Sequence, residues 1–259
     1  LDTVAGKPRP TDSGLRIHSS APLRFPIGII DDPARQWQDT WELDLLTSGG
    51  HTQVAGGPGS GKTTLLRTIA ASLALTHPPS LVSVYVLDLL GSSLLNLRDL
   101  INVGGVAVRA DHEVVRRTLE ELRGLLNQRE LIFQQLRIDS LATLRNITDD
   151  PSLNLAEVFE ELTDIVFDLL RRGAAHGIHV IATTTRWNEI RLAQQSFFGT
   201  RIEFRLTDPT ESAHGRRLAE TLPADRPGRA LVTDGLFTHV ALPRIDGVDS
   251  AEDVSDGLQ

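Results

Sequence analysis

The chain has 259 residues, of which 40% are hydrophobic and 23% are charged, so it is long enough for one large α/β domain or two small ones. No apolar run approaches the ~20 residues that a bilayer-spanning helix needs, and a net charge of −8 without a visible basic patch argues against a surface for DNA. Because the chain contains no cysteine, disulfides and thiolate metal sites are also excluded.

The N-terminal part of the sequence predicts an arm followed by two strands. Residues 1–21 are polar and rich in Pro, Gly and Ser, which is typical of a linker or arm. Residues 22–34 predict an edge strand that ends in a turn, because Pro26 has no N–H for the ladder of a central strand. Residues 41–45 alternate between apolar and polar side chains, which predicts a half-buried strand.

A phosphate-binding loop follows a short predicted strand at residues 50–55. Residues 54–64 read Val-Ala-Gly-Gly-Pro-Gly-Ser-Gly-Lys-Thr-Thr and fit the pattern G-x-x-x-x-G-K-[ST]. The predicted nucleotide-binding residues are Gly56, Gly57, Pro58, Gly59, Ser60, Gly61, Lys62, Thr63 and Thr64. In such a loop the glycines let backbone N–H groups face a triphosphate, Lys62 neutralises the outer phosphates, and the hydroxyl of Thr63 binds Mg²⁺. Apolar residues at helical spacing predict a helix to about Thr76, whose N-terminal dipole favours an anion.

The rest of the chain alternates between predicted strands and long predicted helices. Apolar spacing predicts helices over residues 111–136 and through residues 155–170, and Gly173 ends the second. The remaining predicted strands are 82–88, 178–184, 201–206 and 230–232. This alternation indicates an α/β fold with a mostly parallel central sheet covered by helices. One domain at residues 22–245 accounts for these elements, and residues 246–259 form an acidic tail.

Further motifs occur in the order in which a known family carries them. They are residues 23–33, 49–51, 72–74, 85–88, 103–107, 177–180, 186–187, 199–203, 208–212 and 226–229, in addition to the phosphate loop. With these motifs the chain resembles the FtsK/SpoIIIE-type ATPases, and in particular the ATPase modules of EccC proteins from type VII secretion systems. The resemblance covers about nine-tenths of the chain by pattern. It implies a P-loop NTPase fold of the RecA/FtsK type.

The resemblance also implies cofactors, partners and a place in the cell. It implies binding of ATP and Mg²⁺, with Thr63 as the metal ligand of the protein. The expected partners are neighbouring ATPase modules of the same chain or ring, and secreted substrates that are small helical hairpins. The module is expected in the cytoplasm, below a membrane channel, as part of a complex at the cell membrane that this fragment does not itself contact. Some family members pump DNA, but the acidic balance of this chain disfavours DNA as a partner.

The pattern departs from the family at the second acid, which in P-loop hydrolases follows four apolar strand residues and holds Mg²⁺. In the family that strand lies between the two long helices, and residues 141–154 do not read as a buried strand. One substitute is Asp168, which follows three apolar residues but falls inside a helical pattern. Another is Asp88, the candidate catalytic acid at the end of a predicted strand, although a carboxylate there can equally cap a helix or turn.

A third interpretation is that the printed sequence omits residues between Arg145 and Ala156, with the numbering closed over them. The family's strand is central and buried on both faces, so its loss would leave ladder N–H and C=O groups unpaired at about 1–3 kcal/mol each. We therefore expect at least one step between consecutive Cα atoms of this segment to exceed ~3.8 Å. We also expect an extra strand, or an empty slot for one, beside the phosphate-loop strand.

Several other residues have a functional and a structural interpretation. Thr183, Thr184 and Thr185 follow a predicted strand on the phosphate-loop side and could sense a γ-phosphate, but ordinary strand contacts are slightly favoured. Arg201 is a candidate catalytic arginine finger for a neighbouring module, and Arg186 is a second candidate. The eight histidines lack metal-ligand spacing, so a structural role is expected for those in strands, such as His179. The three tryptophans are expected in the core or at an interface.

The sequence therefore predicts an ATP-binding motor module of a multi-domain type VII secretion ATPase, with hydrolysis left open. The alternative is a regulatory module that binds nucleotide without hydrolysing it and docks a substrate. A DNA translocase motor is a third and less favoured reading.

Overall fold

The computed structural model of the chain describes residues 23–46, 50–139 and 163–244. The predicted arm at residues 1–21, the predicted tail at residues 246–259, and the chain between Arg145 and Ala156 lie outside the described residues. Within the described ranges, no helix is both long enough and apolar enough to cross a membrane.

The described elements include the predicted strands and helices in their order, together with two strands that were not predicted, Val103–Val108 and Phe237–Val240. They are β1 (Arg24–Asp32), β2 (Trp37–Asp44), β3 (Thr52–Ala55), α1 (Lys62–Thr76), β4 (Val84–Asp88), β5 (Val103–Val108), α2 (His112–Leu136), α3 (Thr163–Arg172), β6 (Ile181–Thr184), β7 (Thr200–Phe204), β8 (Arg229–Leu231) and β9 (Phe237–Val240). Short helical turns at Leu95–Asp99, Leu192–Gln195 and Arg216–Ala219 connect some of them. The helix predicted at residues 111–136 agrees with α2 to within one residue. The agreement is close because the apolar spacing of this segment is long and regular.

Strand β3, which carries the phosphate loop, lies inside the larger sheet. Seven described strands form this sheet in the order β2-β1-β9-β8-β7-β3-β6. The strand β3 is parallel to both neighbours, so the predicted parallel α/β arrangement is confirmed around the phosphate loop. From β7 outward, β8, β9, β1 and β2 pair antiparallel. Because the carboxyl ends of parallel strands meet at one edge, the loops after β3, β6 and β7 converge there.

The prediction that β1 is an edge strand is wrong, because β1 pairs with β2 on one side and with β9 on the other. The structure accommodates Pro26 in two ways. The pairing with β2 shifts register between Pro26 and Gly28, and the pairing with β9 begins only at Gly28. A side chain at Gly28 would place its Cβ 2.2 Å from the carbonyl oxygen of His239, so glycine is required at this close approach.

Helix α1 covers one face of the sheet. Leu65, Ile69 and Leu73 recur at helical spacing and pack against strand residues that include Val54 and Ile202. All five side chains are buried, and burial of each such side chain stabilises the fold by about 1.5–3 kcal/mol. This packing fixes the direction of α1 and therefore the position of its first turn at the end of the phosphate loop.

Helices α2 and α3 cover the opposite face. The buried apolar residues on these two helices are Val115, Leu119, Leu122, Leu126, Leu169 and Leu170. They pack against Ile178, Val180 and Ala182, in and before β6. Arg129 of α2 is also buried, and its guanidinium donates to the carbonyl of His176 at 2.9 Å. The long helix is thereby tied to the segment that leads into β6.

Asp168 lies within α3 and not at the end of a strand, as its helical pattern predicts. Its carboxylate is in an ion pair with Arg172, and the hydrogen bond from Arg172 lowers the pKa of Asp168. Asp168 is therefore a surface partner of its own helix, and it does not substitute for the missing second acid.

The prediction of an extra strand or an empty slot directly beside the phosphate-loop strand is wrong for the strands that the structure describes. Because β3 is paired on both sides, no slot adjoins β3 itself. Strands β4 and β5 form a separate two-stranded parallel sheet, and among the described strands β6 pairs only with β3. Among the described strands, β4 and β5 are therefore not joined to the seven-stranded sheet.

Candidate nucleotide site

The phosphate loop is anchored to both parallel neighbours of β3. The N–H of Gly56 donates to the carbonyl of Thr184 at the end of β6, at 3.1 Å. The N–H of Gly57 donates to the carbonyl of Arg205, directly after β7, at 2.8 Å. The base of the loop is therefore held from two sides by rigid strands, a support that a binding loop needs for a defined geometry.

Glycine is required at two positions of the loop. Gly59 has φ 70° and Gly61 has φ 118°, both in the left-handed region that side chains disfavour. A Cβ at Gly61 would also lie 2.7 Å from the nitrogen of Gly228. The motif glycines predicted from the sequence therefore have a backbone reason for their positions.

The motif at residues 226–229 lies against the phosphate loop and is hydrogen-bonded to it. The N–H of Gly228 donates to the carbonyl of Ser60 at 2.9 Å, and the carbonyl of Gly228 accepts from Val240 at 2.9 Å. The C-terminal hairpin of β8 and β9 is thus connected to the tip of the phosphate loop. The hydroxyl of Ser60 is buried and has no hydrogen-bond partner in the described part of the chain.

Lys62, Thr63 and Thr64 form the first turn of α1, where the partial positive charge of the helix lies. The ammonium of Lys62 donates to the carbonyls of Gly56 and Gly57, the second at 2.9 Å. It is therefore held across the loop, at the side where a triphosphate would be cradled. Thr63 and Thr64 are half-buried, so their side chains are accessible to a ligand in the loop.

A cavity of about 190 Å³ adjoins the outer side of the loop. Its lining residues include the loop tip at residues 57–60 and three arginines, Arg205, Arg226 and Arg229. The guanidinium of Arg205 is directed by a 2.5 Å hydrogen bond to the carbonyl of Leu222. Three guanidinium groups beside a phosphate loop favour an anionic ligand, and the cavity offers room for a part of the ligand beyond its phosphates.

The contacts of Asp88 favour its capping interpretation over a catalytic one. Asp88 is buried at the end of β4, and its carboxylate accepts from the N–H groups of Gly91 at 3.0 Å and Leu94 at 3.1 Å. Ser93 Oγ is a further donor at 3.4 Å. Both carboxylate oxygens therefore stabilise the loop after β4, and the role of Asp88 as a second acid stays a prediction.

The two candidate arginine fingers contact their own module. The guanidinium of Arg201 lies 6.0 Å from the ring centroid of Trp187 and donates to the carbonyl of Gln195 at 3.3 Å. Arg186 is exposed and lies 3.5 Å from a carboxylate oxygen of Glu211. The exposed Arg186 can turn towards a neighbouring module more readily than the half-buried Arg201, and a finger role for either stays a prediction.

The threonines at the end of β6 and directly after it have ordinary contacts. Thr184 Oγ1 lies 3.5 Å from the carbonyl of Val54 across the parallel pair. The N–H of Thr185 donates to a carboxylate oxygen of Glu189 at 3.1 Å, and its hydroxyl donates to the other oxygen. Glu189 therefore fixes the turn beside the phosphate loop, which supports the structural interpretation of these threonines.

Sequence reasoning missed a buried carboxylate beside the loop. Glu203 of β7 is fully buried and pairs with Ala55, the last residue of β3. It accepts hydrogen bonds from the hydroxyl of Ser212 at 2.5 Å and from the N–H of Ala213 at 2.8 Å. The sequence did contain a signal for this residue. Glu203 is an acid between the apolar residues Ile202 and Phe204 of a strand that is covered on both faces, which indicates a buried carboxylate.

Two histidines lie at the amino ends of β3 and β6, away from the loop. His179 is buried and its Nδ1 bonds the carbonyl of Gly50 at 2.7 Å, which supports its predicted structural role. His51 Nδ1 accepts from the N–H of Val180 at 3.0 Å, so its Nε2–H donates to the carbonyl of Leu170 at 3.0 Å. Burial lowers the pKa of His51 to about 4, which keeps the ring neutral.

Metal binding at this site would depend on the loop and its ligand. In the residues that the structure describes, no group of three or more His, Cys, Asp or Glu side chains is placed to hold a metal ion. The hydroxyl of Thr63 fits a single position on Mg²⁺, a hard cation that takes oxygen ligands and usually completes its shell with phosphates and water.

The strand that carries the phosphate loop lies between two parallel strands, and the loop leads into a helix that covers the sheet. This arrangement defines a P-loop NTPase fold. The family model described as the FtsK/SpoIIIE family matches residues 16–246. The chain therefore belongs to the FtsK/SpoIIIE family, as its motifs predict.

Similar proteins come from secretion systems. The chain is 38% identical over 261 residues to the ESX-1 secretion system protein EccCb1 of Mycolicibacterium smegmatis, across 94% of this chain and 44% of that protein. It is 42% identical over 252 residues to the ESX secretion system protein EccC of Thermomonospora curvata, across 91% of this chain and 19% of that protein. A solved structure of Thermomonospora curvata EccC, with ATPases 2 and 3 in complex with a signal sequence peptide, matches with a TM-score of 0.87 and 39% identity, across 96% of this chain and 47% of that chain.

These comparisons establish homology to the ATPase modules of EccC proteins, although the chain spans less than half the length of each relative. The first alignment also contains more positions than the 259 residues of this chain while covering only 94% of it. The relative therefore has residues within the matched region that this chain lacks.

Proposed function

We propose that the chain is an ATP-binding motor module of a type VII secretion ATPase, with ATP and Mg²⁺ bound at the phosphate loop. The observation that carries this proposal is the formed loop itself, with Lys62 held across it and two glycines in left-handed conformations. A loop that is already shaped for a triphosphate avoids part of the ordering cost of binding.

Each group of the site has a distinct task in this proposal. The loop N–H groups and the N-terminus of α1 would bind the phosphates, and Lys62 would move from the loop carbonyls to the outer phosphate oxygens. Thr63 would hold Mg²⁺, which supplies charge neutralisation between the phosphate oxygens when it is bound. The cavity with Arg205, Arg226 and Arg229 would receive the rest of the nucleotide.

Hydrolysis by this chain alone is expected to be slow or absent. In the described part of the chain, the three acids discussed above are occupied, since Asp88 caps the loop after β4, Glu189 fixes Thr185 and Glu203 accepts from Ser212 and Ala213. An acid that aligns water or holds Mg²⁺ is a general requirement of this chemistry. The second candidate function is therefore a regulatory module that binds nucleotide without turnover and docks a substrate.

The proposed partners are neighbouring ATPase modules of the same chain or ring, and secreted helical-hairpin substrates. The homologous structure contains two ATPases with a signal sequence peptide, which supports both kinds of partner. The proposed location is the cytoplasm, in a complex at the cell membrane. DNA is disfavoured as a substrate because the net charge of −8 would repel its phosphates.

Calorimetric titration with ATP and Mg²⁺ tests the nucleotide site. Lys62→Ala should lower the affinity about 100-fold or more, because charge-assisted hydrogen bonds of about 1.5–3 kcal/mol each are lost. The chain has only one other lysine, so Lys7→Ala is a matched control that should bind as the wild type does. Equal affinity of Lys62→Ala and the wild type would overturn the assignment of the loop.

The same pair of lysines allows a direct footprint. Limited acetylation followed by mass spectrometry should show that Mg·ATP protects Lys62 and leaves the reactivity of Lys7 unchanged. Protection of neither residue at saturating ATP would contradict the proposal independently of any substitution.

A further inference from the structure

The cavity on the outer side of the phosphate loop has walls of two kinds, apolar and cationic. They are formed by the loop tip at residues 57–60, by Arg205 with the two residues that follow it, and by residues from Pro223 to Arg229. In the proposed nucleotide site this cavity receives the ribose and the base. Its lining therefore decides which base fits, whereas the phosphate loop binds the part that all nucleoside triphosphates share.

The apolar part of the lining suits the faces of a planar base. Pro58, Pro223 and Pro227 line the cavity together with Leu206, which is buried. Proline rings restrict their own backbone, so these walls are stiff. Because every base has an apolar face that can stack, this part of the lining does not distinguish one base from another.

The polar part of the lining consists mainly of hydrogen-bond donors. Its side chains are the three arginines and the hydroxyl groups of Ser60 and Thr207. Among the described lining residues, none has a carboxylate or a carboxamide side chain. A guanidinium has N–H donors and no acceptor. The cavity therefore matches a base edge that presents acceptors.

The two purines differ in this respect. Guanine presents the acceptors N7 and O6 side by side, and arginine donates to both of them at once. Adenine presents the acceptor N7 beside its N6 amino group, which is itself a donor, so that an asparagine or a glutamine matches it better. A guanidinium at the edge of adenine leaves donor facing donor, which is unfavourable in a site shielded from water. The lining therefore favours guanine over adenine.

Arg229 is the arginine whose backbone is held most directly against the phosphate loop. It is the first residue of β8, and the preceding Gly228 donates to the carbonyl of Ser60 and accepts from Val240, both at 2.9 Å. The guanidinium of Arg205, in contrast, is directed to the carbonyl of Leu222 at 2.5 Å. A side chain on a strand that is tied to the loop keeps a defined distance from the bound phosphates.

We propose that the cavity accepts guanine, with Arg229 donating to N7 and O6, so that GTP binds to this chain at least as tightly as ATP. The proposal rests on the proposed nucleotide site, because the triphosphate has to occupy the phosphate loop before the base can reach the cavity. The contribution of Lys62 is the same for every nucleoside triphosphate. The base preference is therefore a separate property that depends on Arg229.

Calorimetric titration of the intact chain with Mg·GTP and Mg·ATP tests the preference. The Kd for GTP should be equal to or lower than the Kd for ATP. Mg·ITP keeps N7 and O6 and lacks only the N2 amino group, so it should bind as GTP does. The analogue 7-deaza-GTP lacks the acceptor at N7 and should bind at least about fivefold more weakly than GTP.

A substitution of the arginine itself should move the preference towards adenine. In Arg229→Gln the amide matches N6 and N7 of adenine, so the ratio of the Kd for GTP to the Kd for ATP should rise at least about fivefold. Arg229 is exposed, so the variant should fold as the wild type does. Arg217→Gln is the matched control, because Arg217 is also exposed but lines a different cavity, and it should leave the ratio unchanged.

The base preference is overturned if GTP binds more weakly than ATP to the wild-type chain. It is also overturned if Arg229→Gln leaves the ratio unchanged, or if 7-deaza-GTP binds as tightly as GTP, since the base edge would then make no contact. Normal binding of ATP without binding of GTP would count against the base preference alone. Binding of neither nucleotide would overturn the nucleotide site and the base preference together.

Discussion

Glu203 and Trp187 are joined in the interior beside the phosphate loop, where the indole Nε1 donates to a carboxylate oxygen of Glu203 at 2.6 Å. Trp187 follows β6, Glu203 lies in β7, and the other two donors to this carboxylate belong to the segment at residues 212–213. One buried carboxylate therefore connects three segments around the base of the loop. This arrangement fixes the positions of both strands that anchor Gly56 and Gly57.

Glu203→Gln should destabilise the fold and weaken nucleotide binding. An amide nitrogen replaces one acceptor oxygen and leaves a buried donor unsatisfied, which costs about 1–3 kcal/mol in the free energy of unfolding. Urea denaturation measures this loss, and titration with ATP measures the effect on the loop. Glu220→Gln, in an exposed pair with Arg216, is the control and should stay within about 0.5 kcal/mol of the wild type. Equal stability of the two variants would contradict the proposed role of Glu203.

Gly61→Ala should be far more damaging than Gly59→Ala. Both residues have positive φ, but a Cβ at Gly59 meets no atom within 4 Å, whereas a Cβ at Gly61 lies 2.7 Å from the nitrogen of Gly228. Gly59→Ala should cost about 1–2 kcal/mol for its backbone conformation alone. Gly61→Ala should add the steric cost, displace residues 226–229 and abolish ATP binding. Thermal unfolding and calorimetry of both variants check the ranking, and similar losses would refute the steric argument.

The sequence predicted the features that depend on neighbouring residues. The phosphate loop needs glycines at fixed spacing before a helix, and the regular apolar spacing of α2 spans 25 residues, so both could be identified from local pattern. Membership of the FtsK/SpoIIIE family followed from the order of several such local motifs.

Features that depend on distant segments could not be predicted in this way. The edge assignment of β1 failed because its second neighbour, β9, comes from residues more than 200 positions further along the chain. Likewise, the role of Glu203 could not be predicted although the residue lies in the motif at residues 199–203, because its donors come from segments on both sides of it in the chain.

Asp88→Asn should distinguish a structural carboxylate from a catalytic one. If the residue caps the loop after β4, loss of one acceptor towards Leu94 should lower the free energy of unfolding by about 1–3 kcal/mol while ATP affinity stays unchanged. Any slow ATP turnover of the wild type, expected below the ~1 s⁻¹ of ordinary enzymes, should also persist. A variant of normal stability that has lost this turnover would instead identify Asp88 as the second acid.

His51 should make the fold sensitive to mild acid. Its pKa is lowered to about 4 in the folded chain, mainly by burial and despite its hydrogen bond to Leu170, whereas an unfolded histidine has a pKa near 6.5. Between these two pKa values the unfolded state binds a proton at His51 and the folded state does not. The free energy of unfolding is therefore highest above pH 6.5 and falls as the pH approaches 4. The loss should reach about 2 kcal/mol between pH 7 and pH 5, measured by urea denaturation.

In His51→Gln an amide can still donate to Leu170 and accept from Val180 but does not titrate, so its stability should change much less over this range. His112→Gln, at an exposed position, should keep the slope of the wild type. An unchanged slope in His51→Gln would show that other groups cause the acid sensitivity.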